Sequence, residues 1–217
     1  RWRIPSFQGV IDLGKRIGAG DIANYIRRRK RDNENKEMIH LVTSKKQFSL
    51  LAECFRTTAA SVLFTENQGT SQVLVVTSAN PQDGKSTTAS NLAVAFTETK
   101  RKVILIDADL RRPDLHRFFG LENGWGLTNI LQDDINIDEY PLEMLGQQTA
   151  VPNLYVLSSG TDSVGIVHLL HSTRMPELIR RLRREFQVVL IDSPPVLQIA
   201  DARVLARYSD GVILVIN

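Results

Sequence analysis

The stretch "SANPQDGKSTT", Ser78 to Thr88, decides how the rest of this 217-residue chain is read. Gly84, Lys85 and Ser86 fill the last three places of the phosphate-loop pattern G-x-x-x-x-G-K-[ST], and Ala79, another small residue, stands where its first glycine would be. The physical content is a tight loop at a helix N-terminus. Its backbone N–H groups converge on phosphate oxygens, a lysine reaches the β- and γ-phosphates, and a hydroxyl ligates Mg²⁺. The expected nucleotide-binding residues are therefore Ala79, Asn80, Gln82, Asp83, Gly84, Lys85, Ser86 and Thr87, for ATP with Mg²⁺.

The neighbourhood of the loop has the right form. "QVLVVTS" reads as a strand ending just before it, and "STTASNLAVAFTETK" as a helix starting just after it. Downstream, "KVILIDAD", "NLYVLSS", "VVLID" and "GVILVIN" read as strands. "RMPELIRRLRREF" and "ADARVLARYS" read as helices, and "SLLAECFRTTAASVLF" places Leu51, Phe55, Ala59, Val62 and Leu63 on one helical face ahead of the domain. Short β-branched runs separated by helices predict an α/β fold, a three-layer αβα arrangement of the P-loop NTPase type with a mostly parallel sheet. Between Gly120 and Pro152, Gly, Asn and Pro punctuate two short apolar segments, which predicts a helical insert with loops.

Two of the strands end in carboxylates. "VILIDADLRRP" delivers Asp107 and Asp109, and "VVLIDSPP" delivers Asp192, to the C-terminal edge where ligands bind in open α/β sheets. Helix capping is the ordinary role of an aspartate at such a place. Buried carboxylates in this number need positive charge nearby, and Mg²⁺ beside a triphosphate supplies it.

Composition narrows the setting. An apolar fraction of 42% suffices for one sizeable core, the single Cys54 cannot close an intramolecular disulfide and favours a reducing compartment, and apolar runs such as "VLVV" are far shorter than a bilayer span. The net charge is only +3, yet "RRRKR" at Arg27 to Arg31 gathers five positive charges in five residues. Residues 1–44 read as a linker and 45–217 as the P-loop domain; the start at Arg1 and the stop inside a strand suggest a piece of a longer polypeptide. No aromatic residues interleave the basic run, so nucleic acid is not expected as a partner. His40, His116, His168 and His171 show no metal-ligand spacing with Cys54, and Trp2 and Trp125 read as packing residues.

"SANPQDGKSTTASNLAVAF", "ILIDADLRRPDLHRFFGL" and "FQVVLIDSPP" together resemble the Walker A, A′ and B segments of the bacterial tyrosine kinases that regulate capsular and exopolysaccharide synthesis. The likeness covers about Ser49 to Asn217, and Asp-Ala-Asp-Leu-Arg-Arg-Pro is its most specific part. Partitioning ATPases of the ParA and MinD type usually lack that Arg-Arg-Pro and carry a lysine four residues before the last loop glycine, where this chain has Asn80. The resemblance implies phosphate and Mg²⁺ contacts from Lys85, Ser86 and Thr87, metal ligation by Ser86, Asp107 and Asp192, and catalysis by Lys85, Asp107 and Asp109, with Asp107 assisting the attacking hydroxyl. Arg111 and Arg112 would steady transferred charge, meet a neighbouring subunit, or simply form surface ion pairs.

The resemblance also implies partners. They are a ring-like homo-oligomer, a membrane-spanning chain-length regulator joined in cis or in trans, and tyrosine acceptors including the kinase's own C-terminal tail, at the cytoplasmic face of the cell membrane. In that setting "NYIRRRKRDNENK" would lie just inside an anionic leaflet, each basic residue contributing about 1 kcal/mol; a solvated linker is the plain alternative.

Three features depart from the pattern. Glu53 and Arg56 match the assembly helix Glu-x-x-Arg-x-x-Arg, but Ala59 replaces its last arginine. "TDSVGIVHLLHSTRM" stands where Pro-Pro-Asn-Pro is usual, and Tyr25, Tyr140, Tyr155 and Tyr208 are scattered rather than clustered. Two rival functions stay open at this point: an ATPase that switches assembly or partner binding without tyrosine transfer, and a nucleotide-bound scaffold that docks a membrane protein.

Overall fold

The structure, a computed structural model, describes residues 50–64, 71–161 and 166–216. The expected linker with its basic run, together with Trp2, Tyr25 and His40, lies outside the described residues.

Six strands form one sheet in the order β3-β4-β2-β5-β1-β6. They are β1 (Gln72–Ser78), β2 (Val103–Asp107), β3 (Gln147–Gln148), β4 (Leu154–Leu157), β5 (Val188–Asp192) and β6 (Gly211–Val215). All neighbours run parallel except the pair β3 and β4. Every residue of β1, β2 and β5 is buried, as expected of parallel strands covered on both faces by helices.

Period-two alternation divides those strands between two cores. Val73, Val75, Ile104, Ile106, Val189 and Ile191 face one helical layer, containing α4 (Leu127–Gln132) and α7 (Arg174–Glu185). Leu74, Val76, Leu105 and Leu190 face the other, built from α1 (Leu50–Phe64) and α2 (Lys85–Glu98). Each such Val, Leu or Ile, fully removed from water, contributes about 1.5–3 kcal/mol. This is the expected three-layer arrangement.

The helices match their positions. α2 is rich in Ala, Ser and Thr and buried over nearly all its surface, because it lies between the sheet and α1; small side chains permit that close approach. α7 is strongly two-faced, with Met175, Leu178, Ile179 and Leu182 buried and its arginines outward. The insert between residues 120 and 152 contains α4, a 3-10 turn at Ile137–Glu139 and α5 (Leu142–Leu145). Trp125 packs there as a loop residue, its indole N–H donating to the Met144 carbonyl at 3.0 Å. Four further short helices and strands were not separately expected or differ in length: β3, α3 (Leu115–Phe119), α6 (Ile166–Leu170) and α8 (Asp201–Ala206).

Ala59 is buried in the core beneath α1. An arginine there would carry its charge into apolar surroundings, so this departure follows from how α1 sits on α2. Arg56, by contrast, donates to Glu98 at the end of α2 at 2.6 Å and also pairs with Glu53.

Candidate functional site

β1, β2 and β5 all deliver polar residues to their C-terminal ends, and the pairing register brings those ends level. Asp107 lies opposite Asp192 across the pair β2 and β5, and Val76 lies opposite Asp192 across the pair β1 and β5. The loop between β1 and α2 bends over this edge.

That loop holds two residues with left-handed backbone, Gln82 (φ 70°) and Gly84 (φ 91°). A side chain at Gly84 would meet nothing within 4 Å, so conformation rather than space calls for glycine there. Gln82 has no such freedom, and holding it left-handed costs about 1 kcal/mol or more. Left-handed residues set into a loop are the geometry from which backbone N–H groups make an anion-binding concavity. Inside the loop, Asp83 accepts from the Asn80 N–H at 2.8 Å and Ser78 donates to the Asn80 carbonyl at 2.7 Å. Gly84 then caps α2, and its carbonyl accepts the Thr88 N–H at 2.8 Å.

Lys85 begins α2, and its ammonium reaches under the loop to three groups: Asp109 at 2.8 Å, Ser86 Oγ at 3.2 Å and Asp192 at 3.5 Å. These side chains are sheltered, with exposures of 8% for Lys85, 5% for Asp109, 1% for Asp192 and 0% for Asp107. Burial opposes the lysine's charge, but Asp192 and Asp109 outweigh that and raise its pKa. Burial pushes the Asp192 carboxyl up to about 6 despite Lys85. Burial, reinforced by Asp192, drives Asp107 well above the usual carboxylate range.

Asp107 combines both roles that an aspartate at a strand end can take. Its Oδ2 accepts from the backbone N–H groups of Asp114 and Leu115 at 3.1 and 3.0 Å, which secures the start of α3. Its Oδ1 is buried with no hydrogen-bond partner. Three carboxylates therefore share Lys85 as their near cation, and a buried oxygen is left unsatisfied. Oxygen donors from Ser86, Asp107 and Asp192 suit a hard divalent cation such as Mg²⁺. Among the described residues no group of three or more His, Cys, Asp or Glu forms a metal cage, so such a cation would complete its shell from phosphate and water.

Thr87 and Ala79 lie on the loop and first turn of α2, partly exposed, together with the exposed Asn80 and Gln82. Arg112 anchors the turn after β2, its N–H donating to the Asp109 carbonyl at 3.0 Å and side chain at 3.3 Å. Arg111 approaches Asp201, a buried carboxylate from the far side of the β5 loop, at 4.0 Å. Nothing in the sequence marks Asp201, because an aspartate in the first turn of a helix is ordinary. Among the described residues no helix is long and apolar enough to cross a membrane.

A family model described as an AAA domain matches residues 71–217. The tyrosine-protein kinase YwqD of Bacillus subtilis (strain 168) is 40% identical over 169 residues, 78% of this chain and 69% of that protein. The tyrosine-protein kinase ptk of Acinetobacter johnsonii is 31% identical over 183 residues; that alignment takes in 84% of this chain but only 24% of the relative, so the chain spans about a quarter of its length. The solved kinase domain of the Escherichia coli tyrosine kinase ETK is 30% identical and superposes with a TM-score of 0.68, covering 76% of this chain and 62% of that one. With the phosphate loop, the paired strand-end aspartates and these relatives in agreement, the chain belongs to the bacterial tyrosine-protein kinases, on an AAA domain.

Proposed function

We propose that this chain is an ATP-dependent protein-tyrosine kinase of the autophosphorylating type, regulating the polymerisation and export of capsule or exopolysaccharide. The observation that carries the reading is the Lys85 ammonium held between Asp109 and Asp192 beneath a left-handed loop, on a chain whose relatives bear that activity in their names.

The residues divide the work. The loop from Ala79 to Thr87 holds the triphosphate through backbone N–H groups, and Lys85 exchanges its carboxylate partners for phosphate oxygens. Ser86, Asp107 and Asp192 would hold Mg²⁺, which would supply charge neutralisation on the phosphates. A tyrosine oxygen attacks the γ-phosphorus, and the bond from that phosphorus to the β–γ bridging oxygen breaks. ADP leaves with the electron pair, and the phenolic proton passes to the open Oδ1 of Asp107. A phenol pKa of ~10 makes an aligned acceptor necessary. Asp109 holds Lys85 in place, at 2.8 Å, until the nucleotide engages it.

The setting proposed with it is the cytoplasmic face of the cell membrane, in a ring-like homo-oligomer, with a membrane-spanning chain-length regulator in cis or in trans. The test is phosphotyrosine formation from Mg-ATP, using the chain's own tyrosines and an added tyrosine-containing peptide, with Lys85→Ala as control. Labelling that falls to background in Lys85→Ala is expected. Phosphate release without any labelling would move the protein to the ATPase class.

A further inference from the structure

Asp201 is a buried carboxylate near the site that the proposed chemistry leaves unused. It opens α8, nine residues beyond Asp192, with 2% exposure and a buried Oδ1 that has no hydrogen-bond partner. Its other oxygen lies 4.0 Å from Nε of Arg111, whose side chain is 46% exposed. Arg111 in turn stands two residues after Asp109, on the turn that the Arg112 N–H ties to Asp109. Asp201 pairs with Arg111, and Asp109 pairs with Lys85, which also meets Asp192, so opposite charges follow in the order Asp201–Arg111, then Asp109–Lys85–Asp192.

That order matters once Lys85 is needed elsewhere. When its ammonium turns to a phosphate, Asp109 at 5% exposure loses the partner it holds at 2.8 Å. A buried carboxylate stripped of its cation is strongly unfavourable. A guanidinium has five N–H donors in a rigid fork, enough to serve two carboxylates at once. Burial raises the Asp201 carboxyl above its ordinary range, with Arg111 and His171 pulling it back and Asp109 adding to the rise, which places Asp201 and Asp109 within electrostatic reach of each other.

We propose that Asp201 is a positioning residue: from outside the phosphate loop it anchors Arg111, so that this guanidinium takes over Asp109 when Lys85 engages the nucleotide. The inference rests on the phosphoryl-transfer reading of the site but not on tyrosine being the acceptor. Arg111 would thus act on the reaction by releasing Lys85, and Asp201 by holding Arg111.

The test uses the full chain with Asp201→Asn, Arg111→Ala and the double variant. Three quantities are read: ADP release and phosphotyrosine formation from Mg-ATP, the thermal midpoint, and the affinity for ADP–aluminium fluoride relative to ADP by calorimetry. Each single variant is expected to lower kcat by roughly 10- to 100-fold, with KM for ATP and ADP affinity within about twofold of wild type. Preference for the fluoride complex should fall in step. The double variant should be little worse than the worse single one, because both act through one link. Unchanged turnover and unchanged fluoride preference overturn the proposal, as do additive losses. Should Asp201→Asn fail to fold, Arg111→Ala at its half-exposed position decides: wild-type kcat there overturns it. ADP release without phosphotyrosine would sink the kinase reading while leaving Asp201 to be judged by ADP release, and in the absence of any turnover the fluoride preference decides.

Discussion

Among the described residues, α7 and the C-terminal edge of the sheet are both dense in charge, and they are built on opposite principles. On α7, arginines line the solvent side of a helix whose other face is core. Arg183 meets Asp210 at 2.7 Å, Arg184 pairs with Asp138, Arg181 with Glu185, and Arg174 donates to the carbonyls of Ile130 and Ile135 at 3.0 and 2.8 Å. At the C-terminal edge of the sheet, Asp107, Asp109 and Asp192 crowd around Lys85 out of water, with one carboxylate oxygen unsatisfied. Charge density alone therefore identifies nothing. What distinguishes a site is charge that is buried and out of balance, because only there would a ligand relieve a cost the fold already bears.

The largest effect is expected from Asp107→Asn. Removing one of three buried carboxylates lowers repulsion while the amide oxygen can still accept from Asp114 and Leu115. The nucleotide-free chain should gain about 0.5–2 kcal/mol in denaturant unfolding. Phosphoryl transfer should fall about 10²–10⁴-fold, the range for losing a positioned proton acceptor. A variant less stable than wild type would mean that Asp107 is a structural cap and that the edge is not strained.

The two regions also differ in how far they could be read from the sequence. The strand-loop-helix around Lys85 was legible, because continuous apolar runs, a glycine needing left-handed backbone and a lysine-serine pair each leave a local trace. The outward arginines of α7 were legible too, since Leu178, Leu182 and Phe186 recur at helical spacing and all three are buried. Asp201 was not, since its burial depends on where the eight-residue loop between β5 and α8 returns to the sheet. The two-residue strand β3 is too short to show any period. Ala59 was legible as a member of the apolar face of α1, and it is buried there, although set against the assembly-helix pattern it reads as a missing arginine.

Next in size is the apolar side of α7. Leu182 is fully buried in the core that also holds Val189 and Ile191. Leu182→Ala should cost about 2–5 kcal/mol, the lost transfer energy plus the cavity left behind, measured as a shift in the urea midpoint. A loss below about 1 kcal/mol would mean that the helix is held by its charged face, contrary to the division of labour drawn here.

The smallest effect belongs to the charged face itself. Arg184 and Asp138 are each more than half exposed, so their attraction acts largely through water, and ordering two long side chains offsets part of it. Arg184→Ala should therefore change stability by less than about 1 kcal/mol. Salt separates the two regions more finely than magnitude does. At 1 M ionic strength the screening length contracts to about 3 Å, so whatever difference Arg184→Ala makes should vanish. The gain from Asp107→Asn should persist in the same buffer, because buried charges are screened much less. If both effects faded together with salt, the strand-end carboxylates would be behaving as surface charges, and the imbalance that sets this edge apart from α7 would be lost as a criterion.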